Sequence, residues 1–301
     1  MNEYKSSKYM YFIMFQIATH KKNSMNCENQ NDQVESLRNS LVKLNRYDDS
    51  RHTESMLLRF LKARKFDFKA AELMLTDFEQ WRIDVNVQEI IESFSFPEDK
   101  EIMTFYPRYY HKTCKLGRPI YIEQFENFST SRLLEITTED RMLKKYIRQH
   151  EKLMYYRFPA CSLKAGREIG QGVTIIDLKG AKLSEFYQGR SILTSVSDLG
   201  SRRYPETLGV LFIINAPSMF TWVWMLIGKI LDPVTLSKIF VLGVDYQSTL
   251  LDHIDAENLQ VRFGGKCIDP AGDFGPWNDG SVEGYPSGVW EEMRMRDGYT
   301  I

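Results

Sequence analysis

The sequence has no excess of charge of either sign and few cysteines. Its 39 Lys and Arg residues nearly balance its 40 Asp and Glu residues, so the formal net charge is −1. Because binding to a phosphate backbone needs a clear basic excess, we expect no nucleic-acid partner. The four cysteines are scattered, with no CxxC pair and no histidine cluster at metal-ligand spacing. We therefore expect reduced thiols and no metal.

The sequence also lacks the motifs of several enzyme classes. It contains no GxGxxG, GxxxxGK[ST] or GxSxG, so we expect no nucleotide cradle, no hydrolase elbow and no cofactor. Cys161 and Arg167 have the C-x5-R spacing of a cysteine phosphatase loop. Such a loop should connect a strand to a helix N-terminus, whereas Cys161 follows a predicted helix that ends near Arg157. An enzyme is therefore not expected, and the alternative is a phosphatase that uses Cys161.

No apolar run has the length and continuity of a membrane span. Residues 9–18 form an apolar block with basic flanks, but as a helix they would cover only about 15 Å of a roughly 30 Å hydrocarbon layer. Two interpretations of this block remain open. It is either an anchor in the membrane interface or an extension ahead of a chain that begins at Met25.

The longest uncharged stretch, residues 208–228, is divided in the middle. Residues 210–214 have the β-branched and aromatic composition of a strand, and Asn215 and Pro217 are turn residues. Residues 219–227 form an apolar helical segment that is too short to cross a bilayer. A helix that is apolar on nearly all sides is buried, lies on lipid or lines an apolar cavity.

Hydrophobic spacing divides the rest of the chain. We predict an unassigned N-terminal extension over 1–31, a small helical bundle over 32–100, an α/β domain over 101–270 and an irregular tail over 271–301. In the bundle, Thr53 and Asp67 are predicted N-caps of two amphipathic helices. In the α/β domain, a helix is predicted to begin at Thr137 or Thr138, and another to run from Ser184 to about Leu199 and close at Gly200.

Four strands are predicted in the α/β domain, over residues 120–125, 173–178, 210–214 and 239–244. Helical stretches of crossover length separate them, which predicts a mostly parallel sheet flanked by helices. Lys238 precedes the last strand among apolar neighbours, and Thr235 lies three residues before it, on the same face if the segment is helical. The ammonium either reaches solvent or binds a carboxylate or a ligand phosphate.

Several segments together resemble the CRAL-TRIO family of lipid-binding proteins from about residue 32 to the end. The segments that carry the resemblance are LLRFLKARKFD (57–67), FYPRYYHK (105–112), RFPAC (157–161), DLKG (177–180), YPE (204–206), INAP (214–217), LDPVTLSKIF (231–240) and AENLQVRFGGK (256–266). The resemblance implies a helical N-terminal domain and an α/β domain that encloses one phospholipid in an apolar cavity under a movable gate helix.

The resemblance also implies three sets of site residues. The phosphoinositide head group would be bound by Arg64, Glu206, Thr235 and Lys238. A second head-group pocket would contain Tyr110, Tyr121 and Thr174, together with two departures from the family pattern, Gly172 in place of Ser and His150 in place of Tyr. The gate and acyl-chain cavity would contain Phe220, Trp222, Val223, Trp224, Met225, Leu226, Ile227, Leu231, Ile239 and Phe240.

The predicted function is that of a phosphatidylinositol-binding lipid transfer or presentation protein. A lost hydroxyl at Gly172 and a lost aromatic face at His150 weaken the case for phosphatidylcholine, whose ammonium binds aromatic rings by cation–π attraction. The alternative is a sensor or carrier of another hydrophobic ligand, such as a sterol. By resemblance the protein would be a cytoplasmic monomer that contacts Golgi or endosomal membranes transiently.

Overall fold

The computed structural model describes residues 30–217, 236–283 and 285 of the 301-residue chain. The chain divides into two compact units, Met1–Gln80 and Trp81–Ile301. Among the described residues, no helix is long and apolar enough to cross a membrane.

The first unit is helical, as its sequence pattern predicts. Its helices are α1 (residues 30–43), α2 (Glu54–Ala63) and the first part of α3 (Phe68–Asp84). Both predicted N-caps are confirmed: the Thr53 hydroxyl accepts from the Met56 amide at 3.3 Å, and the Asp67 carboxylate accepts from the Ala70 amide at 3.1 Å. The apolar faces supply the buried side chains of this unit, among them Leu37, Leu41, Leu57, Phe60, Leu61, Ala71 and Phe78.

The second unit is α/β. Before the sheet come the short helices α4 (Val87–Glu92) and α5 (Asp99–Ile102). The strands are β1 (Arg108–Thr113), β2 (Pro119–Gln124), β3 (Gly172–Asp177), β4 (Leu208–Ile214) and β5 (Ile239–Val241). The remaining helices are α6 (Thr130–Ile136), α7 (Glu139–Lys152), α8 (Phe158–Ala165), α9 (Leu183–Gln188), α10 (Arg190–Asp198) and α11 (Gln247–His253). The predicted N-cap of α7 is Thr138, whose hydroxyl accepts from the Arg141 amide at 3.3 Å.

The five strands form one sheet in the order β1-β2-β3-β4-β5. The pairs from β2 to β5 are parallel, as predicted, and β1 pairs with β2 antiparallel. Strand β1 was not predicted, because its polar ends Arg108, Lys112 and Thr113 obscure the period of a strand. Strand β5 is three residues long, shorter than the predicted range 239–244.

Two predicted helix ends are wrong. The helix expected to end near Arg157 continues through a π-helical turn, Leu153–Arg157, into α8. Pro159 does not stop it: the π-helical turn directly precedes the proline at the start of α8, and a turn of this kind changes the hydrogen bonding of the helix at that point. The helix expected to run unbroken to Gly200 is interrupted at Gly189 and ends in a π-helical turn, Leu199–Arg203. A Cβ at Gly189 would lie 3.3 Å from both the Glu185 carbonyl and the Thr130 hydroxyl, so the absence of a side chain at this position allows α6 to approach closely.

The sheet has two different faces because successive side chains alternate across it. One face, here called the core face, carries a row of apolar residues in register across all five strands: Tyr109, Ile122, Ile175, Phe212 and Phe240. The first four of these side chains are buried in a single hydrophobic cluster. The opposite face, called the open face, carries the row Tyr110, Tyr121, Thr174, Leu211 and Ile239, in which all but Tyr110 are only partly buried.

Candidate functional site

The open face brings together three residues that were predicted for a second head-group pocket. Tyr110 pairs with Tyr121 across the antiparallel strands, and Tyr121 pairs with Thr174 across the parallel ones. The ring centroids of Tyr110 and Tyr121 lie 5.0 Å apart. Burial raises the pKa of Tyr110 to about 12 and that of Tyr121 well above its usual value. Both phenols are therefore neutral hydrogen-bonding groups at neutral pH.

The face of the Tyr110 ring already carries a cation from the same chain. The guanidinium carbon of Arg157 lies 3.9 Å from the Tyr110 ring centroid and 5.6 Å from that of Trp277. Arg157 is fully buried and forms an ion pair with Asp273 at 2.6 Å. This aromatic surface can therefore stabilise positive charge, but a ligand ammonium would have to share it with Arg157.

His150 has a different aromatic environment. Its ring lies between Tyr146 and Tyr204, with centroids at 4.4 Å and 4.7 Å. Burial lowers the pKa of His150 to about 4, with a smaller effect of Arg157 in the same direction. The imidazole is therefore neutral at physiological pH, and its Nδ1 lies 3.1 Å from the Tyr146 carbonyl.

Gly172, the other departure from the family pattern, begins β3 on the same face as Thr174. A Cβ at Gly172 would lie 3.3 Å from the Pro119 carbonyl.

A partly buried acid on the open face was not predicted from the sequence. Glu123 lies two residues beyond Tyr121 and is in register with Arg108 of β1. Its carboxylate accepts a hydrogen bond from the Tyr106 hydroxyl. Burial raises the pKa of Glu123, although Tyr106 and Arg108 act in the opposite direction. The alternation in PIYIEQ could have indicated this placement, because Tyr121 and Glu123 share a face of any strand in this segment.

Two residues of the predicted phosphoinositide set form an ion pair. Lys238 Nζ lies 3.3 Å from Glu206 Oε2, and the side chains are 21% and 30% exposed. Glu206 lies in the turn before β4, and Lys238 lies in the turn before β5 rather than on a regular helix. Strands β4 and β5 are parallel neighbours, so the turns that precede them lie side by side at the N-terminal ends of the strands. A pair this exposed to solvent contributes little stability, and an incoming anion can compete for the ammonium.

The other predicted site residues have separate outcomes. Arg64 is the C-cap of α2 in the first unit, where its guanidinium donates to the Ala63 carbonyl at 3.1 Å. Thr235 and the predicted gate residues 220–231 lie outside the described residues. Ile239 packs on the open face, whereas Phe240 stacks on Phe212 at 5.2 Å on the core face. Consecutive strand residues point in opposite directions, so Ile239 and Phe240 do not line the same wall.

Comparison with known families agrees with this architecture. Residues 105–265 match the family model of the CRAL/TRIO domain, and residues 22–77 match that of the CRAL/TRIO N-terminal domain. The chain belongs to the CRAL/TRIO family. The family and the fold class expected from the sequence are thereby confirmed.

Relatives within the CRAL/TRIO family include proteins that are more than 40% identical to this chain over most of its length. The chain is 43% identical over 233 residues to the SEC14 cytosolic factor of Kluyveromyces lactis. This alignment covers 75% of this chain and 77% of the relative. It is 41% identical over 256 residues to the phosphatidylinositol/phosphatidylcholine transfer protein SFH4 of Arabidopsis thaliana, which covers 83% of this chain and 42% of the relative. The crystal structure of Sfh5 matches with a TM-score of 0.58 at 19% identity, over 83% of this chain and 82% of that one; this likeness concerns the fold alone.

The C-x5-R spacing does not form a phosphate loop in this CRAL/TRIO chain. Cys161 lies inside α8 and is 1% exposed, and burial raises the pKa of its thiol to about 12. Arg167 lies beyond the helix, where its guanidinium donates to the Leu116 carbonyl at 2.6 Å. The thiol is neither ionised at neutral pH nor placed at a helix N-terminus, so the geometry does not support a nucleophilic role.

Proposed function

We propose that this protein binds one molecule of phosphatidylinositol and transfers or presents it at membranes. The observation that carries the proposal is the partly exposed Lys238–Glu206 ion pair at the edge of a sheet whose adjacent face is only partly covered. Lys238 would bind the phosphate of the lipid, and Glu206 would pair with Lys238 or accept hydrogen bonds from inositol hydroxyls. Arg64 and Thr235 complete the proposed head-group set.

The energetics of a phospholipid explain why such a carrier must enclose its ligand. Two acyl chains contain on the order of 30 methylenes, and each contributes about 0.8 kcal/mol against exposure to water. About 25 kcal/mol therefore opposes an open complex in solution. Because this cost disappears when the protein meets a bilayer, we propose that residues 219–239 supply a gate that opens at the membrane surface, as the family resemblance implies.

A lipid transfer assay tests the role of Lys238. We expect Lys238→Ala to reduce phosphatidylinositol transfer between vesicles at least about tenfold, because one charge-assisted contact to phosphate is worth roughly 1.5–3 kcal/mol. Lys179→Ala is a matched control, because Lys179 also forms an ion pair, with Glu126 at 2.9 Å, but is 62% exposed. Equal transfer by wild type and Lys238→Ala would contradict the proposed site.

The altered pocket favours a second candidate function, a sensor or carrier of another hydrophobic ligand such as a sterol. Gly172 and His150 together remove a hydroxyl and a phenol from the proposed choline pocket. A ligand without phosphate has no need of an ammonium at Lys238, so its binding would survive Lys238→Ala. Mass spectrometry of the lipids that co-purify with wild type and with this variant separates the two functions.

The remaining assignments follow from the proposed function. The lipid-binding domain would comprise residues 101–270, with the helical domain at 32–100, an extension at 1–31 and an irregular tail at 271–301. The protein would act as a monomer in the cytoplasm, with transient contact to Golgi or endosomal membranes. Its partners would be the phospholipid and the membrane surface.

A further inference from the structure

Three potential metal ligands converge on the core side of β1. His111 Nε2 lies 3.4 Å from Cys267 Sγ, and Cys267 Sγ lies 3.3 Å from Asp269 Oδ2. All three donor atoms lie within 4.8 Å of one another. These residues are here called the His111 cluster. Because His111 and Cys267 are 156 residues apart, no search for local metal-binding spacing could identify the cluster.

The separations fit the first coordination sphere of a tetrahedral zinc ion. Zinc binds sulfur at about 2.3 Å and nitrogen or oxygen at about 2.0–2.2 Å. Tetrahedral angles then place the donor atoms about 3.3–3.6 Å from one another. The distances from Cys267 Sγ to His111 Nε2 and to Asp269 Oδ2 match this range. The distance between the His111 and Asp269 ligand atoms would reach it by a rotation of the Asp269 side chain, which is 41% exposed. His111 is fully buried and Cys267 is 6% exposed, so two ligands are enclosed and one faces solvent.

The ammonium group of Lys112 contacts the His111 cluster. Lys112 Nζ lies 2.9 Å from Asp269 Oδ2 and 3.1 Å from Cys267 Sγ. In a regular strand His111 and Lys112 would point to opposite faces. The pairing of β1 with β2 is irregular between Tyr110 and Thr113, and Lys112 has a φ of +51°. This bulge turns the ammonium toward the sulfur. Left-handed backbone is costly for a lysine, and such strain and bulges are concentrated at functional sites.

The backbone around the cluster is held in place by an independent set of hydrogen bonds. The Cys267 amide donates to the Leu259 carbonyl at 3.0 Å, and the Val261 amide donates to the Cys267 carbonyl at 3.0 Å. The Gln260 side chain donates to the Asp269 carbonyl at 2.9 Å and accepts from the Tyr109 hydroxyl at 2.7 Å. These hydrogen bonds hold the backbone that carries the potential metal ligands Cys267 and Asp269, as a pre-organised metal site requires.

We propose that His111, Cys267 and Asp269 form a binding site for a divalent transition metal, with Zn²⁺ as the best match to one imidazole, one thiolate and one carboxylate. The metal would displace the Lys112 ammonium, which can turn to the Glu257 carbonyl, already at 3.3 Å. Three protein ligands leave the fourth position to solvent. Binding would connect β1 to the loop that carries Cys267 and Asp269.

Cobalt titration tests the site, because Co²⁺ bound to a thiolate has a charge-transfer absorption that Zn²⁺ abolishes on displacement. The full chain carries Cys27→Ser to remove the N-terminal thiol and is first treated with a chelator. We expect one equivalent of Co²⁺ to produce the charge-transfer band and Zn²⁺ to remove it. Cys267→Ser should abolish the band, and Asp269→Asn should weaken binding at least about tenfold. Cys161→Ser, at a second buried cysteine that lies outside the His111 cluster, should leave the band unchanged.

Lys112→Met distinguishes a metal site from an internal salt bridge. Removing the competing ammonium should strengthen Co²⁺ binding at least about tenfold, because a positive charge a few ångströms from the metal is removed. Circular dichroism verifies the fold of each variant. The proposal is overturned if neither the Cys27→Ser parent nor Lys112→Met in that parent gives the band, if the band survives Cys267→Ser, or if Lys112→Met binds Co²⁺ no more tightly than the parent.

Discussion

His150 shows how burial changes what a residue can do. An exposed histidine titrates near neutrality, but burial between Tyr146 and Tyr204 lowers the pKa of His150 to about 4. The ring is therefore a neutral aromatic hydrogen-bonding group rather than a cation. It neither repels a choline ammonium strongly nor offers it the electron-rich face of a phenol.

This environment leads to a prediction on phosphatidylcholine. We expect wild type to transfer phosphatidylcholine much more slowly than phosphatidylinositol, and His150→Tyr to raise phosphatidylcholine transfer severalfold by restoring a phenol ring worth about 0.5–2 kcal/mol to a cation. Phosphatidylinositol transfer should change little. Vesicle assays with each labelled lipid provide the measurement.

His150→Phe is the control for the hydroxyl, because it supplies an aromatic face without a hydrogen-bonding group. Rapid phosphatidylcholine transfer by wild type would show that His150 already serves this lipid. A folded His150→Tyr variant with unchanged phosphatidylcholine transfer would show that the pocket does not depend on this position.

At the scale of elements, parallel pairing determines which loops meet. Glu206 and Lys238 are distant in sequence, but each precedes one of two neighbouring parallel strands, so their side chains meet at the same sheet edge. Local signals determine where the elements begin. Thr138 accepts from the amide of Arg141 and is followed by Glu139 and Asp140, whose charges favour the N-terminal end of α7.

The cap of α7 leads to a prediction on stability. Thr138→Ala should lower the free energy of unfolding by about 1 kcal/mol, because the Arg141 amide loses its partner. Thr194→Ala is the matched control: Thr194 is also exposed, but it lies inside α10 and its hydroxyl donates to the Arg190 carbonyl at 2.8 Å. There alanine should be neutral or slightly stabilising. Urea unfolding followed by circular dichroism measures both, and equal effects would contradict a capping role.

At the scale of the whole molecule, the net charge is close to zero, yet individual charged side chains form close ion pairs. In the first unit, Glu79 is bound by both Arg51, at 2.9 Å, and His52, at 3.0 Å, and its side chain is 5% exposed. Burial alone would raise the pKa of Glu79, but hydrogen bonds from His52 and Arg51 outweigh it and lower the pKa to about 2. Folding is therefore coupled to the ionisation of this carboxyl group.

The coupling predicts acid sensitivity with a defined sign. Because the folded pKa is lower than the unfolded value near 4.5, the stabilisation is present above about pH 4.5 and is lost as pH falls toward about 2. Its size is on the order of 3 kcal/mol. Glu79→Gln should destabilise the protein at pH 7 and reduce the loss of stability between pH 5 and pH 3, measured by urea unfolding. Glu35 forms an exposed ion pair with Arg38, so Glu35→Gln should change neither the stability at pH 7 nor its loss between pH 5 and pH 3. A similar effect of both variants would contradict the role of Glu79.

Local patterns predicted much of the fold. Apolar periodicity identified the helices of the first unit and the parallel strands, since both depend on residues close in sequence. The predictions failed where a neighbouring element decides the outcome. The helix is interrupted at Gly189, where α6 lies close to the backbone, and β1 is a strand that pairs with β2. Neither contact is visible in the local sequence.

The sequence by itself determined the family, the four parallel strands and the helices of the first unit, and the residue types available to a lipid site, because these depend on composition, spacing and motifs. Only the tertiary structure decided which residues meet. It paired Lys238 with Glu206, brought Glu123 into register with Arg108 of β1, and brought His111 to Cys267 across 156 residues. The physical reason is that strand register and loop closure act over long sequence separations, where spacing carries no information.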